Sequence, residues 1–135
     1  DIVIQAAAPA DYRVENPADQ KIKKQDGESL VLTLVENPDV AKAVGQQKKP
    51  GQVLVGFAAE TQKVTENAIK KLHKKNLDMI VANDVTAEGA GFGVDTNIVT
   101  LITEAGLKSL PKMTKRQVGD RILDEALRLL QQKKQ

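Results

Sequence analysis

The chain has no cysteine and no tryptophan. Without thiols there is no disulfide framework, no zinc ribbon and no thiol nucleophile. Aromatics are 2% of the residues, namely Tyr12, Phe57 and Phe92. That leaves few platforms on which the bases of a nucleic-acid strand could stack. A single histidine, His73, cannot build a multi-histidine metal site. No apolar run approaches the roughly 20 residues of a membrane span, and no signal peptide is visible. The expectation is a soluble, cytoplasmic protein with neither a membrane nor a nucleic acid as partner. The first residue is Asp1, not Met, and the chain opens directly in an apolar run. A missing N-terminal segment is therefore expected as well.

What is present is aliphatic. Alanine, valine, isoleucine and leucine supply nearly all of the 41% hydrophobic residues, and 135 residues suffice for one domain with a core. The net charge is only +2, but it is unevenly spread. Residues 41–75 carry eight lysines against Glu60 and Glu66, whereas residues 77–104 carry five acids and no Lys or Arg. Such a juxtaposition suits a polyanionic small ligand, with or without a divalent cation. A general nucleic-acid binder is usually more basic overall.

Asp1-Ile2-Val3-Ile4-Gln5 reads as a short, buried strand. Ala6, Ala7 and Ala8 follow it, giving a surface to which a flat ligand can come close. Asp11 and Arg13 then place both charge signs beyond the strand end, where ligands bind in open α/β sheets. Residues 12–28 read as a polar loop, with Lys21, Lys23 and Lys24 as a basic flap suited to closing over phosphates. The plainer alternative is a solvated or edge-protecting lysine cluster. Ser29–Val35 reads as a strand buried on both faces. Asn37-Pro38-Asp39 reads as a helix start with Asn as cap, the helix ending at Gly45. Its free N–H groups either face solvent or meet a ligand.

After the Lys49-Pro50-Gly51 turn, Val53–Glu60 reads as a buried strand. Phe57 within it is either core or a wall for a base. A helix over 62–75, capped by Thr61, has Val64, Ala68 and Leu72 on one face. Its Lys71 and Lys75 project side by side; they either complement the helix dipole or reach for phosphates, while His73 reads as a surface residue. Leu77–Ala82 is a further strand, ending in Asn83-Asp84. The glycine-rich stretch 88–93 lacks both the spacing and the lysine of a P-loop. Residues 97–110 read as a hairpin, and Thr114 with Gln117 forms a capping box for a last helix. That helix has Val118, Ile122, Ala126, Leu129 and Leu130 on its core side. Strands alternating with helices predict a mostly parallel sheet with helices on both faces, in one domain over 1–135. Three unusual strand ends, Ala7–Asp11, Gly56–Glu60 and Asn83-Asp84, meet in one crevice if their strands are parallel neighbours.

In order, Ala-Ala-Pro-Ala-Asp-Tyr-Arg, Lys-Ile-Lys-Lys, Asn-Pro-Asp-Val, Gly-Phe-Ala-Ala-Glu-Thr, Lys-Asn-Leu-Asp, Ala-Asn-Asp-Val and Gly-Phe span essentially residues 1–130. This set closely resembles bacterial phosphopantothenoylcysteine synthetase, commonly the C-terminal half of a bifunctional coenzyme A biosynthesis flavoprotein. The resemblance implies a Rossmann-like domain, an obligate homodimer and a two-step ligation. CTP, with Mg²⁺, activates 4′-phosphopantothenate as an acyl-cytidylate, and the amine of cysteine then displaces CMP.

By the same resemblance Gln5, Ala6, Ala7 and Asp11 line the nucleotide site. Lys21 serves the triphosphate and turnover of the intermediate. Pro38, Asp39, Val40 and Ala41 contact the nucleotide, as do Phe57, Lys71 and Lys75. Ala7 and Ala8 lie beside the acyl group. The metal ligands are unknown. The family's glycine-rich N-terminal segment and its intermediate-binding asparagine have no counterpart here. Neither does the fused decarboxylase partner, so FMN is not expected, and this stretch alone is expected to be inactive. The competing readings are a nucleotide-binding or regulatory module without turnover and, less in keeping with the aromatic count, an RNA-binding α/β domain.

Overall fold

In a computed structural model of the protein, every residue is described except Gln25, Thr61, Gln62, Val85, Gly91, Phe92 and Gln135, with backbone only at Glu60, Val64 and Asp84. The chain divides into two compact units, one of Asp1–Ala6 with Val40–Gln135, the other of Ala7–Asp39.

The larger unit holds a five-stranded sheet. Its strands are β1 (Ile2–Ile4), β4 (Val53–Glu60), β5 (Met79–Asp84), β7 (Val99–Thr103) and β8 (Gly106–Ser109), in the spatial order β1-β4-β5-β7-β8. β1, β4 and β5 run parallel, with Ile4 opposite Val55 and Ala58 opposite Ala82. β7 is antiparallel to β5, and β8 closes the expected hairpin on β7. The expected parallel sheet is thus present, with an antiparallel edge.

Side-chain alternation splits the sheet into two apolar faces. Val53, Val55, Met79, Val81, Val99 and Leu101 pack against α3 (Lys115–Lys133), which supplies Val118, Ile122 and Ala126. Leu54, Ala58, Ile80, Ala82 and Ile102 pack against Ala68 and Leu72 of α2 (Val64–Lys74), with Val44 of α1 (Val40–Gln47) beside them. Helices therefore cover both faces. α3 begins with the expected capping box: Thr114 Oγ1 accepts from the Gln117 backbone N–H, and the Gln117 side chain accepts from the Thr114 N–H. Two short strands, β6 (Thr96–Asn97) and β9 (Met113–Thr114), pair just before it.

Several local expectations need correction. α1 begins at Val40, three residues past Asn37, so Asn37 is not its cap and Pro38 is not its first residue. It runs through Gly45 to Gln47. Gly45 is buried because a Cβ there would lie 1.9 Å from the Lys75 carbonyl oxygen. The glycine serves close approach of the two chains rather than termination. α2 begins at Val64, and its N-cap position is Lys63 in a left-handed conformation (φ 46°) without a side-chain cap. Thr61, the expected cap, lies outside the described residues.

The smaller unit contains β2 (Tyr12–Val14) and β3 (Leu34–Glu36), antiparallel, with Tyr12 opposite Glu36. The loop expected from residue 12 therefore starts with a strand. Only the last two residues of the strand expected over 29–35 are paired as one. That stretch is not buried either: Leu30 is 65% and Val31 85% exposed, and Leu32 and Leu34 are also exposed. Its alternation is real, but this unit offers no second layer for it to pack on. Among its described residues none is buried.

Candidate functional site

In the larger unit β1 ends opposite Val55, with Val3 and Ile4 exposed rather than buried as expected, while β4 and β5 run on together to Glu60 and Asp84. Gln5 N–H donates to the Val55 carbonyl at 2.9 Å, extending the β1 ladder one residue past the strand, and the exposed Ala6 follows. The register sets Phe57 opposite Val81 and Ala59 opposite Asn83. All four lie on the α3 face. Val81 is buried there, whereas Phe57, two residues beyond the last buried β4 residue of that face, is 42% exposed. Phe57 is therefore not core. It stands as an open aromatic wall, with the exposed methyl of Ala59 next to it. Converging ends of parallel strands carrying small residues form the crevice in which open α/β sheets bind ligands.

α2 packs on the other face. It starts after β4 and runs back toward the start of β5, so Lys71 and Lys75 lie about 10–16 Å along it from its first turn. Lys75 sits against α1 at Gly45, and Asn76 Nδ2 donates to the Gly45 carbonyl. The larger unit thus groups Gln5, Ala6 and Phe57 at the strand ends and holds Lys71 and Lys75 at the opposite end of the other face. Val40 and Ala41 occupy the first turn of α1.

In the smaller unit, two motif stretches far apart in sequence are joined by Asn37. Its backbone N–H donates to the Asp11 carbonyl at 2.7 Å, and its Nδ2 donates to the Ala10 carbonyl at 2.8 Å. Arg13 Nη1 donates to the Glu36 carbonyl and to Asn37 Oδ1. Ala10 and Asp11 are thereby tied to Asn37, which directly precedes Pro38 and Asp39. The Asn37 clip escaped the sequence reading because its partners are 26 and 27 positions away. The adjacent proline offered an equally good local explanation as a helix start. Lys21 is exposed and makes no hydrogen bond or ion pair among the described residues, which leaves its ammonium available.

A second ionic cluster sits at the sheet end where β5 begins. Asp78 Oδ2 accepts from Lys48 Nζ at 2.9 Å and from the Leu54 N–H at 2.8 Å; its Oδ1 accepts from Lys133 Nζ at 2.6 Å. Burial opposes ionisation of Asp78, but the hydrogen bonds from Lys133, Leu54 and Lys48 outweigh it and hold the carboxyl below its ordinary range. Lys48 also donates to the Asn76 carbonyl and Lys133 to that of Gln52. Two of the chain's lysines are thus structural ties. His73 is exposed, as expected, and pairs with Glu104 at 2.9 Å.

Among the described residues no three His, Asp or Glu side chains cluster to cage a metal. No helix is long and apolar enough to cross a membrane. Gly91 and Phe92 of the glycine-rich stretch lie outside the described residues.

Comparison with known proteins agrees with the motif order. A family model described as the DNA/pantothenate metabolism flavoprotein C-terminal domain matches residues 1–130. The coenzyme A biosynthesis bifunctional protein CoaBC of Bacillus subtilis (strain 168) is 53% identical over 133 residues, covering 98% of this chain and 32% of that protein. Its counterpart in Escherichia coli (strain K12) is 44% identical over 126 residues, covering 92% and 31%. The chain thus spans about a third of the length of these relatives. The crystal structure of the C-terminal domain of a CoaBC protein superposes with a TM-score of 0.73 at 38% identity, covering 98% of this chain and 56% of that one.

Proposed function

We propose, because this chain belongs to the DNA/pantothenate metabolism flavoprotein C-terminal domain family, that it forms the nucleotide-binding part of a CTP-dependent ligase of coenzyme A biosynthesis. The reaction joins 4′-phosphopantothenate and cysteine in the cytoplasm. A carboxylate oxygen of phosphopantothenate attacks the α-phosphorus of CTP, the bond to the bridging oxygen breaks and pyrophosphate leaves. The cysteine amine then attacks the acyl carbon of the acyl-cytidylate, loses a proton and expels CMP.

The observation that carries the proposal is the family match over residues 1–130 together with the placement of its motif residues. Gln5 and Ala6 follow the end of β1 next to β4, which carries the exposed Phe57. The Asn37 clip joins the Ala10–Asp11 backbone to the segment that carries Pro38 and Asp39. Lys21, exposed and unpaired among the described residues, supplies positive charge for the leaving pyrophosphate, where preorganised cations count most. Val40 and Ala41 contribute backbone N–H groups at the start of α1. Lys71 and Lys75 belong to the resemblance's nucleotide set. Among the described residues no cluster of His, Asp or Glu makes a metal cage. Mg²⁺ accordingly enters as the counter-ion of the triphosphate, the usual way this ion is held. Juxtaposing amine and activated acyl group supplies much of the second step without a dedicated base.

The homodimer belongs to the same proposal. The exposed Leu30, Val31, Leu32 and Leu34, in a unit with no buried residue among those described, support this by offering an apolar surface that a second copy could cover. In the bifunctional relatives a decarboxylase half would be a further, covalent partner, and FMN would belong there. Pyrophosphate release that needs CTP and phosphopantothenate together, in a synthetase domain containing this chain, supports the ligase. CTP binding without turnover favours a regulatory nucleotide module.

A further inference from the structure

Among the described residues, buried side-chain nitrogen and oxygen atoms have hydrogen-bond partners, with one exception. At the start of β5, Asp78 accepts from three donors. Toward the other end of the strand, Asn83 Oδ1 is shielded from solvent and has no hydrogen-bond partner, alone in this among the described buried side-chain atoms. Its ladder neighbours are Ala59 on β4 and Val99 on β7. Neither side chain carries a donor, so the sheet itself cannot satisfy the amide. A buried acceptor left unpaired costs about 1–3 kcal/mol, and no partner among the described residues offsets that cost.

The location indicates what does. Asn83 lies on the same face as Phe57, one register step further toward the carboxyl ends. Ala59, adjacent to both, is exposed and carries only a methyl. An aromatic wall beside a polar edge is the combination that holds a base by stacking and reads it by hydrogen bonding. The last torsion of asparagine is soft, so a small rotation presents the oxygen to a ligand lying against Phe57.

We infer that Asn83 is a positioning residue for the nucleotide, its carboxamide oxygen accepting an N–H from the exocyclic amine of a base stacked on Phe57. The inference rests on the nucleotide-binding reading above and names a determinant of base choice within it. Cytosine carries an amine at that edge. Uracil carries a carbonyl there, which sets oxygen against oxygen. A ligand that brings a donor gains a bond that displaces no protein partner.

The test is Asn83→Leu, with Asn83→Ala as a control for overpacking, in a synthetase domain containing this chain. Thermal midpoint and steady-state kinetics with CTP and with UTP are read for both variants. The midpoint should stay level or rise in at least one variant. KM for CTP should rise about tenfold, the worth of one hydrogen bond, with kcat changing less than about twofold. The preference for CTP over UTP should narrow by the same factor. A lower midpoint in both variants shows that the amide is structural and overturns the inference. An unchanged KM and CTP:UTP preference, in an enzyme that uses CTP, sinks the inference and leaves the ligase reading standing. A wild-type domain that uses no CTP sinks both.

Discussion

Replacing Asp78 by alanine should be among the costliest single changes in this chain. The side chain is only 13% exposed and accepts from Lys48 (10% exposed), Lys133 (30% exposed) and the Leu54 N–H. Lys133 can turn to water, so its loss matters little. Lys48 also donates to the Asn76 carbonyl and would remain with a half-satisfied, poorly hydrated ammonium. The Leu54 amide would lose its acceptor outright. Removing one member of a fully buried ion pair costs about 3–5 kcal/mol, and orphaning a buried donor about 1–3 kcal/mol. With one of the three donors free to rehydrate, a loss of about 3 kcal/mol is expected. For a domain of this size that is a drop on the order of 10 °C in Tm. The assay is chemical denaturation of wild type, Asp78→Ala and Asp78→Asn, with Asp78→Asn losing about half as much because it keeps an acceptor. A change below about 1 kcal/mol in the alanine variant would refute the claim that this cluster ties α1, the sheet and α3 together.

The same carboxyl predicts a pH dependence. Its folded-state pKa is lowered, because hydrogen bonds from Lys133, Leu54 and Lys48 outweigh the opposing effect of burial. Its stabilisation is therefore complete above the ordinary aspartate value of 3.8 and is lost as pH falls through the lower folded value. Denaturation midpoints between about pH 6 and pH 3 should fall more steeply for wild type than for Asp78→Asn. Gly45→Ala should destabilise by about 1–3 kcal/mol through the clash with the Lys75 carbonyl; a neutral result in a thermal melt would show that α1 and Lys75 separate easily. Lys21→Gln should lower turnover by about 10²-fold and leave Tm within about 1 °C, since the side chain is exposed and makes no hydrogen bond or ion pair among the described residues; a collapse in Tm would make Lys21 structural. Leu32→Ser should weaken the proposed dimer, read by sedimentation-equilibrium ultracentrifugation as a shift toward monomer; an unchanged association constant would move the interface elsewhere.

Much of the larger unit was legible because its signals are local. The alternation of Val53, Val55 and Phe57 with Leu54, Gly56 and Ala58 marks a strand covered on both sides. Thr114 and Gln117 satisfy each other within one turn. The smaller unit was misread for the opposite reason. Leu30, Leu32 and Leu34 have the pattern of a buried strand, but periodicity shows that a face is apolar, not that anything within the same chain covers it. Gly45 illustrates the same limit. A glycine near a helix end and a glycine under a crossing chain look alike until Lys75 is placed against it. At the proposed site, motif order drew attention to stretches that the family model also covers. Their joining by Asn37, and the unpaired Asn83 oxygen beside Phe57, depend on distant partners and on register that no local pattern encodes.

The most direct test of the central claim is pyrophosphate release by a purified synthetase domain containing this chain, with nucleotide and acyl substrate varied independently. The account predicts release only when CTP and 4′-phosphopantothenate are both present, little release with ATP in place of CTP, and formation of the cysteine amide when cysteine is added. Equal rates with CTP and ATP, or nucleotide cleavage that does not depend on phosphopantothenate, would contradict it.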